Sequence, residues 1–149
     1  MMIARGLLQA GARVVISSRK ADACEQAKAQ LSEFGDVRAI AADLSQHDEC
    51  LRLAELVTAE SDGLDILVNN AGATWGEPLD TFPDSAWDRV LDLNLKSPFW
   101  LVQALVPALK QAGTADDPSR IINIGSIDGI HVPQLPTYSY SPARRRCIR

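Results

Sequence analysis

Four short polar runs, each closing an apolar stretch, hold the residues of this sequence best suited to chemistry: Ser17-Ser18-Arg19, Asp43-Leu44, Asn69-Asn70-Ala71-Gly72 and Gly125-Ser126. Ser18 and Arg19 set a hydroxyl beside a guanidinium, whose planar donor fork suits a phosphate-like anion; the blander alternative is a solvated charge opening a helix. Asp43 offers a carboxylate that either accepts from a ligand's amine or caps the helix behind it. Residues 69–72 combine the residue types that favour turns, so a plain turn is their alternative. Asn94 stands in a stretch of helical periodicity, a place poorly suited to Asn because its amide competes for backbone groups. Tyr140 lies fourteen residues beyond Ser126. A free phenol is too weak an acid for proton transfer at neutral pH unless a nearby cation favours its ionised form. Asn94, Ser126 and Tyr140 also have plain structural alternatives: a surface amide, a strand-end turn residue and a half-buried loop ring.

The elements that must position these residues alternate in type. Met2, Ile3, Leu7 and Leu8 lie at helical spacing, and Gly11 stops the pattern. Residues 13–17 read as a buried strand, 21–34 as a helix ending at Gly35, and 37–41 as a second strand. Asp43 and Ser45 offer N-caps for a helix through Leu51, Leu53, Ala54 and Val57, and residues 64–69 form a third strand. Asp84 or Ser85 caps a long helix carried to Gln111 by Val90, Leu91, Leu93, Leu101, Val102, Leu105 and Leu109, with Pro98 and Pro107 expected to bend or interrupt it. Residues 121–125 form the fourth strand, after which Pro133, Pro136 and Pro142 break the pattern. This succession predicts an α/β fold built from βαβ units, and in such sheets ligands sit at the carboxyl ends of the strands, where the four polar runs lie.

Composition narrows the possibilities. The 149 residues are 46% hydrophobic and 23% charged with a net charge of −4, which describes one slightly acidic globular domain. An acidic balance gives no long-range attraction to nucleic acid or to an anionic membrane, and the basic run Arg144-Arg145-Arg146 sits at the end of the sequence. The longest apolar stretch, Pro98-Phe99-Trp100-Leu101-Val102, falls far short of the roughly 20 residues of a membrane span. No secretory signal opens the sequence, so a cytoplasmic location is expected. Cys24, Cys50 and Cys147 are widely spaced without a C-x-x-C pair, which suggests free thiols and no metal site.

The run Asp65-Ile66-Leu67-Val68-Asn69-Asn70-Ala71-Gly72, followed by Asn94, Ser126 and Tyr140 in that order, resembles the short-chain dehydrogenase/reductases. The resemblance covers residues 1 to 142 and is greatest for the 3-oxoacyl thioester reductase branch. It implies a Rossmann-type, doubly wound parallel sheet and an NAD(P)-dependent oxidoreductase acting on a small-molecule carbonyl or alcohol. It further implies that Ser126 donates to the carbonyl oxygen, that Tyr140 is the general acid, and that Asn94 bends its helix and holds a water of the proton relay. Ser18, Arg19, Asp43, Leu44, Asn70, Ala71 and Gly72 become cofactor-binding candidates. Arg19 stands where NAD-preferring members carry an acid, so NADP is expected over NAD, with Arg19 on the 2′-phosphate and Asp43 on the adenine amine. Trp75, Gln134 and Leu135 are expected along one wall of the substrate pocket, and the parent protein is expected to be a homo-oligomer.

The chain also departs from the family. Where the family places Lys four residues after the Tyr, this sequence has Arg144, whose planar guanidinium differs in reach from an ammonium and cannot relay a proton. Neither a first strand nor a glycine-rich phosphate loop precedes the opening helix, and in the order 3-2-1-4-5-6 that strand is central, so a split sheet with unpaired inner edges and no stable independent fold is expected. A Tyr-Ser-Pro-Ser-Lys ending read with one base dropped from its Pro codon yields the sequence from Tyr140 onward. The reading is therefore a partial Rossmann domain over 1–142, a frameshifted tail over 143–149, and an inactive fragment of an NADPH-dependent reductase. The rival reading is a non-enzymatic binding or dimerisation module acting through the helix at 84–111.

Overall fold

A computed structural model describes residues 1–131 and 134–145; Val132, Pro133 and 146–149, with Arg146 and Cys147, lie outside the described residues. The chain divides into two compact units, Met1–Asp43 and Leu44–Arg149.

The first unit runs α1 (Met2–Gln9), β1 (Val14–Ser18), α2 (Ala21–Leu31) and β2 (Val37–Ala41). Gly11, at φ 89°, adopts the left-handed conformation that ends α1, and its N–H donates to the Leu8 carbonyl. Strands β1 and β2 pair in parallel from Val14 against Val37 to Ser18 against Ala41. Leu8, Leu31 and Val37 form the core, with Ala4, Val14, Ile16 and Phe34 packed on it. Two expectations are corrected here. Helix α2 ends at Leu31 rather than Phe34, where the Ser32 hydroxyl donates back to the Lys28 carbonyl and the Phe34 N–H turns to Leu31. Strand β1 is not buried, and Val15 is 42% exposed, because β1 has a hydrogen-bonded neighbour on one edge alone.

The second unit contains α3 (His47–Thr58), β3 (Ile66–Asn69), α4 (Asp84–Leu91), a π-helical segment (Asp92–Lys96), α5 (Ser97–Ala112), β4 (Arg120–Asn123) and α6 (Tyr140–Arg145). Helix α3 packs on α5, and β3 pairs in parallel with β4 from Ile66 against Arg120 to Asn69 against Asn123. Neither Asp43 nor Ser45 caps α3: its N-cap is Gln46, with no side-chain cap bond, and Asp48 and Glu49 in the first turn complement the helix dipole instead. The long helix anticipated over 84–111 is present as one uninterrupted helical stretch from Asp84 to Ala112, within which the turn at Asp92–Lys96, centred on Asn94, is π-helical. Pro98 comes just after the π-helical segment, and Pro107 is accommodated inside α5 without ending it. Helix α6 had no counterpart in the periodicity, and the 142/143 boundary falls within it.

The parallel strands thus form two separate sheets, β1–β2 and β3–β4, the division expected when no central strand joins them. Among the described residues, no helix is long and apolar enough to cross a membrane.

Candidate functional site

In the first unit the carboxyl ends of β1 and β2 lie side by side. The Ala42 N–H donates to the Ser18 carbonyl at 3.1 Å, which puts Ser18 and Arg19 next to Ala42 and Asp43. Ser18 and Arg19 are exposed and Asp43 is half-buried, so hydroxyl, guanidinium and carboxylate can all meet a ligand from water.

In the second unit the same arrangement recurs at the ends of β3 and β4. The Ile124 N–H donates to the Asn69 carbonyl at 3.0 Å, so residues 70–72 leave one strand beside the point where Gly125 and Ser126 leave the other. The Asn69 Nδ2 donates to the Asn123 Oδ1 at 2.8 Å, while the buried Asn69 Oδ1 has no hydrogen-bond partner among the described residues. Leu44, half-buried, lines a crevice with Val68, Asn69, Asn70, Ala71 and Ser97.

Asn94 is fully buried and answers both backbone groups of one residue: its Nδ2 donates to the Ala73 carbonyl at 2.7 Å, and its Oδ1 accepts from the Ala73 N–H at 3.1 Å. Residues 70–73 are thereby more than a free turn, because a side chain twenty-one residues away fixes their exit. A π-helical segment widens the helix at this point, a geometry common where a side chain must serve a function instead of the helix ladder. Gly72 leaves no room for a side chain. A Cβ there would run into the Arg144 guanidinium and lie 2.8 Å from the Asn94 Oδ1.

The Ser126 Oγ accepts from the Asp128 N–H at 3.2 Å and so caps the short 3₁₀ turn Ile127–Gly129. That bond uses an oxygen lone pair and leaves the hydroxyl proton available to a further acceptor. Tyr140 opens α6, half-buried, and is anchored by its N–H to the Thr137 carbonyl. Gly129 packs directly against the backbone of Arg144, holding the segment after Ser126 on α6.

Arg144 is the residue whose placement the sequence did not suggest. It is 6% exposed, its Nη1 donates to the Ile124 carbonyl at 2.7 Å, and its Cζ lies 5.5 Å from the centre of the Tyr140 ring. The available signal was the four-residue spacing from Tyr140, which puts both on one helix face. Of the anticipated pocket wall, Trp75 is half-buried under the Arg89 guanidinium, and Leu135 is exposed. The Glu77 N–H joins their two loops by donating to the Pro136 carbonyl.

The structure therefore brings Asn70, Ala71, Gly72, Asn94 and Ser126 around the carboxyl ends of β3 and β4, with Tyr140 joined to them through Arg144, and Ser18, Arg19 and Asp43 around those of β1 and β2. A hydroxyl donor, a phenol and a braced turn at one strand end are the means to polarise a carbonyl and protonate it. Among the described residues no group of three His, Cys, Asp or Glu side chains is placed to hold a metal ion.

Comparison with known proteins agrees with this geometry. The short chain dehydrogenase family model matches residues 1–143. Over 143 residues the chain is 47% identical to the rhamnolipids biosynthesis 3-oxoacyl-[acyl-carrier-protein] reductase of Pseudomonas aeruginosa, which covers 96% of this chain and 56% of that protein. It is similar to the Pseudomonas aeruginosa RhlG/NADP active-site complex, with a TM-score of 0.93 and 46% identity over 97% of this chain and 56% of that one. It is also similar to NADH-dependent reductase A1-R′, responsible for alginate metabolism, with a TM-score of 0.86 and 30% identity over 96% and 60% of the two chains. The chain spans little more than half the length of these relatives.

Proposed function

The chain belongs to the short-chain dehydrogenase family, and from that premise we propose that it carries the carbonyl-reducing residues of an NADPH-dependent reductase of 3-oxoacyl thioesters. The observation that carries this reading is the braced turn at Gly72 beside the strand-end Ser126, with the helix-borne Tyr140 linked to both strand ends through Arg144.

Taken unit by unit, the residues suit parts of a nicotinamide nucleotide: in the first, Ser18, Arg19 and Asp43 suit a phosphorylated ribose and an adenine amine; in the second, Leu44, Asn70, Ala71 and Gly72 suit a flat ring and its sugar. When bound, such a cofactor supplies hydride to the carbonyl carbon. The Ser126 hydroxyl donates to the carbonyl oxygen as negative charge grows there, and the Tyr140 phenol gives its proton to the alkoxide. Asn94 acts one step back, by fixing the turn at Ala73. With Arg144 four residues after Tyr140, the phenolate left after proton transfer has no ammonium through which its proton is returned, and the 149-residue chain itself is proposed not to turn over.

The test is a hybrid enzyme. Residues 1–142 replace the matching part of the Pseudomonas aeruginosa reductase, and NADPH oxidation is followed with a 3-oxoacyl thioester. A folded, active hybrid beside an inactive 149-residue chain is the expected result, and a folded but inactive hybrid contradicts the reading. Arg19→Ala in that hybrid should reduce the preference for NADPH over NADH, since a charge-assisted contact is worth about 1.5–3 kcal/mol. The rival reading, a dimerisation module, draws on α5, where Phe99 is 64% exposed. A homo-oligomer of the parent enzyme would use the same helix.

A further inference from the structure

Arg144 is a cation in a place that ought to reject one. It is 6% exposed, and among the described residues no carboxylate pairs with it and its Nε has no hydrogen-bond partner. A buried charge without a counter-ion loses its hydration for no Coulombic return, so its surroundings must compensate by dipoles. Three such groups are in place. The Ile124 carbonyl accepts from Nη1 at 2.7 Å, the Tyr140 ring lies 5.5 Å from Cζ, and the guanidinium and the Asn94 Oδ1 together crowd the space that a side chain at Gly72 would take.

These three contacts belong to three different segments: the end of β4 leading to Ser126, helix α6 with Tyr140, and the turn 71–73 that Asn94 braces. A guanidinium can serve all three because its donors project in fixed directions from one plane while its face meets an aromatic ring. An ammonium is a point charge and would favour one of them.

We propose that Arg144 is a positioning residue: its buried guanidinium fastens the turn at Gly72, the Ile124 carbonyl and the Tyr140 ring into one piece, and so sets where the phenol stands. This inference rests on reading Gly72, Ser126 and Tyr140 as one site, but its test needs no turnover. The chain holds two tyrosines, and Tyr138→Phe leaves Tyr140 as the sole one. A ring-labelled tyrosine then gives one NMR signal from the full chain.

Arg144→Lys and Arg144→Met should both move that signal, and both should raise the unfolding equilibrium constant by about tenfold or more, the loss of one hydrogen bond from a charged donor. In Arg144→Ala, added methylguanidinium should return the signal toward its original position, and methylammonium should not. Should Arg144→Met fail to fold, Gly72→Ala presses directly on the guanidinium and should move the same signal with Arg144 intact. An unmoved Tyr140 signal in Arg144→Met or Gly72→Ala, or full recovery by methylammonium, overturns the proposal. A moved signal together with an inactive hybrid enzyme leaves the positioning role standing and removes the catalytic reading alone.

Discussion

The two units of this chain solve the problem of an interior in opposite ways. In Met1–Asp43 the buried side chains are Leu8, Cys24, Leu31, Val37, Ile40 and Ala42, all apolar, and the residues with chemistry, Ser18 and Arg19, stand in solvent. In Leu44–Arg149 the interior also takes in Asn69, Asn94, Ser97, Thr137, Ser139 and Arg144. An apolar core is tolerant: any well-filling side chain will do. A polar interior is exacting, because each buried donor or acceptor must find its partner, and that demand fixes positions closely. The first unit can therefore hold a ligand only at its surface, whereas the second can hold reacting groups in place before a ligand arrives.

Substitutions can break or sharpen this contrast. The largest effect belongs to the second unit's chemistry: in the hybrid enzyme, Tyr140→Phe should lower kcat by about 10²–10⁴-fold, as expected for loss of a general acid, with the melting temperature unchanged. An undiminished rate would show that the phenol is not the acid. Next comes the apolar core of the first unit, where Leu31, 2% exposed, should cost about 2–5 kcal/mol as Ala but less than about 1.5 kcal/mol as Met in denaturant titrations. Asn94 should show no such tolerance. Asn94→Leu, similar in size, strands the Ala73 N–H and carbonyl and should cost roughly 2–4 kcal/mol, the penalty of two unsatisfied buried groups. A Leu there as benign as Met at position 31 would erase the distinction between the units.

The smallest effect lies on the surface. The Lys96 Nζ stands 2.7 Å from Asp92, and that hydrogen bond, with the Asp92 charge behind it, raises the lysine above its ordinary 10.5. A raised folded-state value means that the pair's contribution is complete at neutral pH and is lost as pH rises through the folded-state value. Wild type and Lys96→Met should therefore differ slightly in melting temperature at neutral pH and converge in strong alkali. Both side chains meet water, so the difference should also shrink with added salt.

Much of the architecture was legible because apolar residues report it directly. The runs at 37–41 and 66–69 and the spacing Val90, Leu101, Leu105, Leu109 announce strands and helices through burial alone, and the residue types at the strand ends announce the site. What periodicity missed was decided by tertiary polar contacts. The helix over 84–112 continues through Pro98 and Pro107 and widens into a π-helical turn at Asn94, whose side chain makes two bonds to Ala73. Asp43 and Ser45 look like caps, yet the turn before His47 carries the chain past both. Arg144, in a run of three arginines, reads as part of a frameshifted tail that puts Arg where the family has Lys, and only the fold reveals that it lies against Gly72. Long-range hydrogen bonds leave no period in a sequence.

That the polar interior holds the site assembled without ligand is tested most directly by hydrogen exchange in the full chain, read at the Ala73 amide. With its N–H 3.1 Å from the buried Asn94 Oδ1, Ala73 should exchange as slowly as Leu105 in the middle of α5. Exchange as fast as at Gly76, exposed in the same loop, would contradict the account, since the turn would then be free and Asn94 would brace nothing.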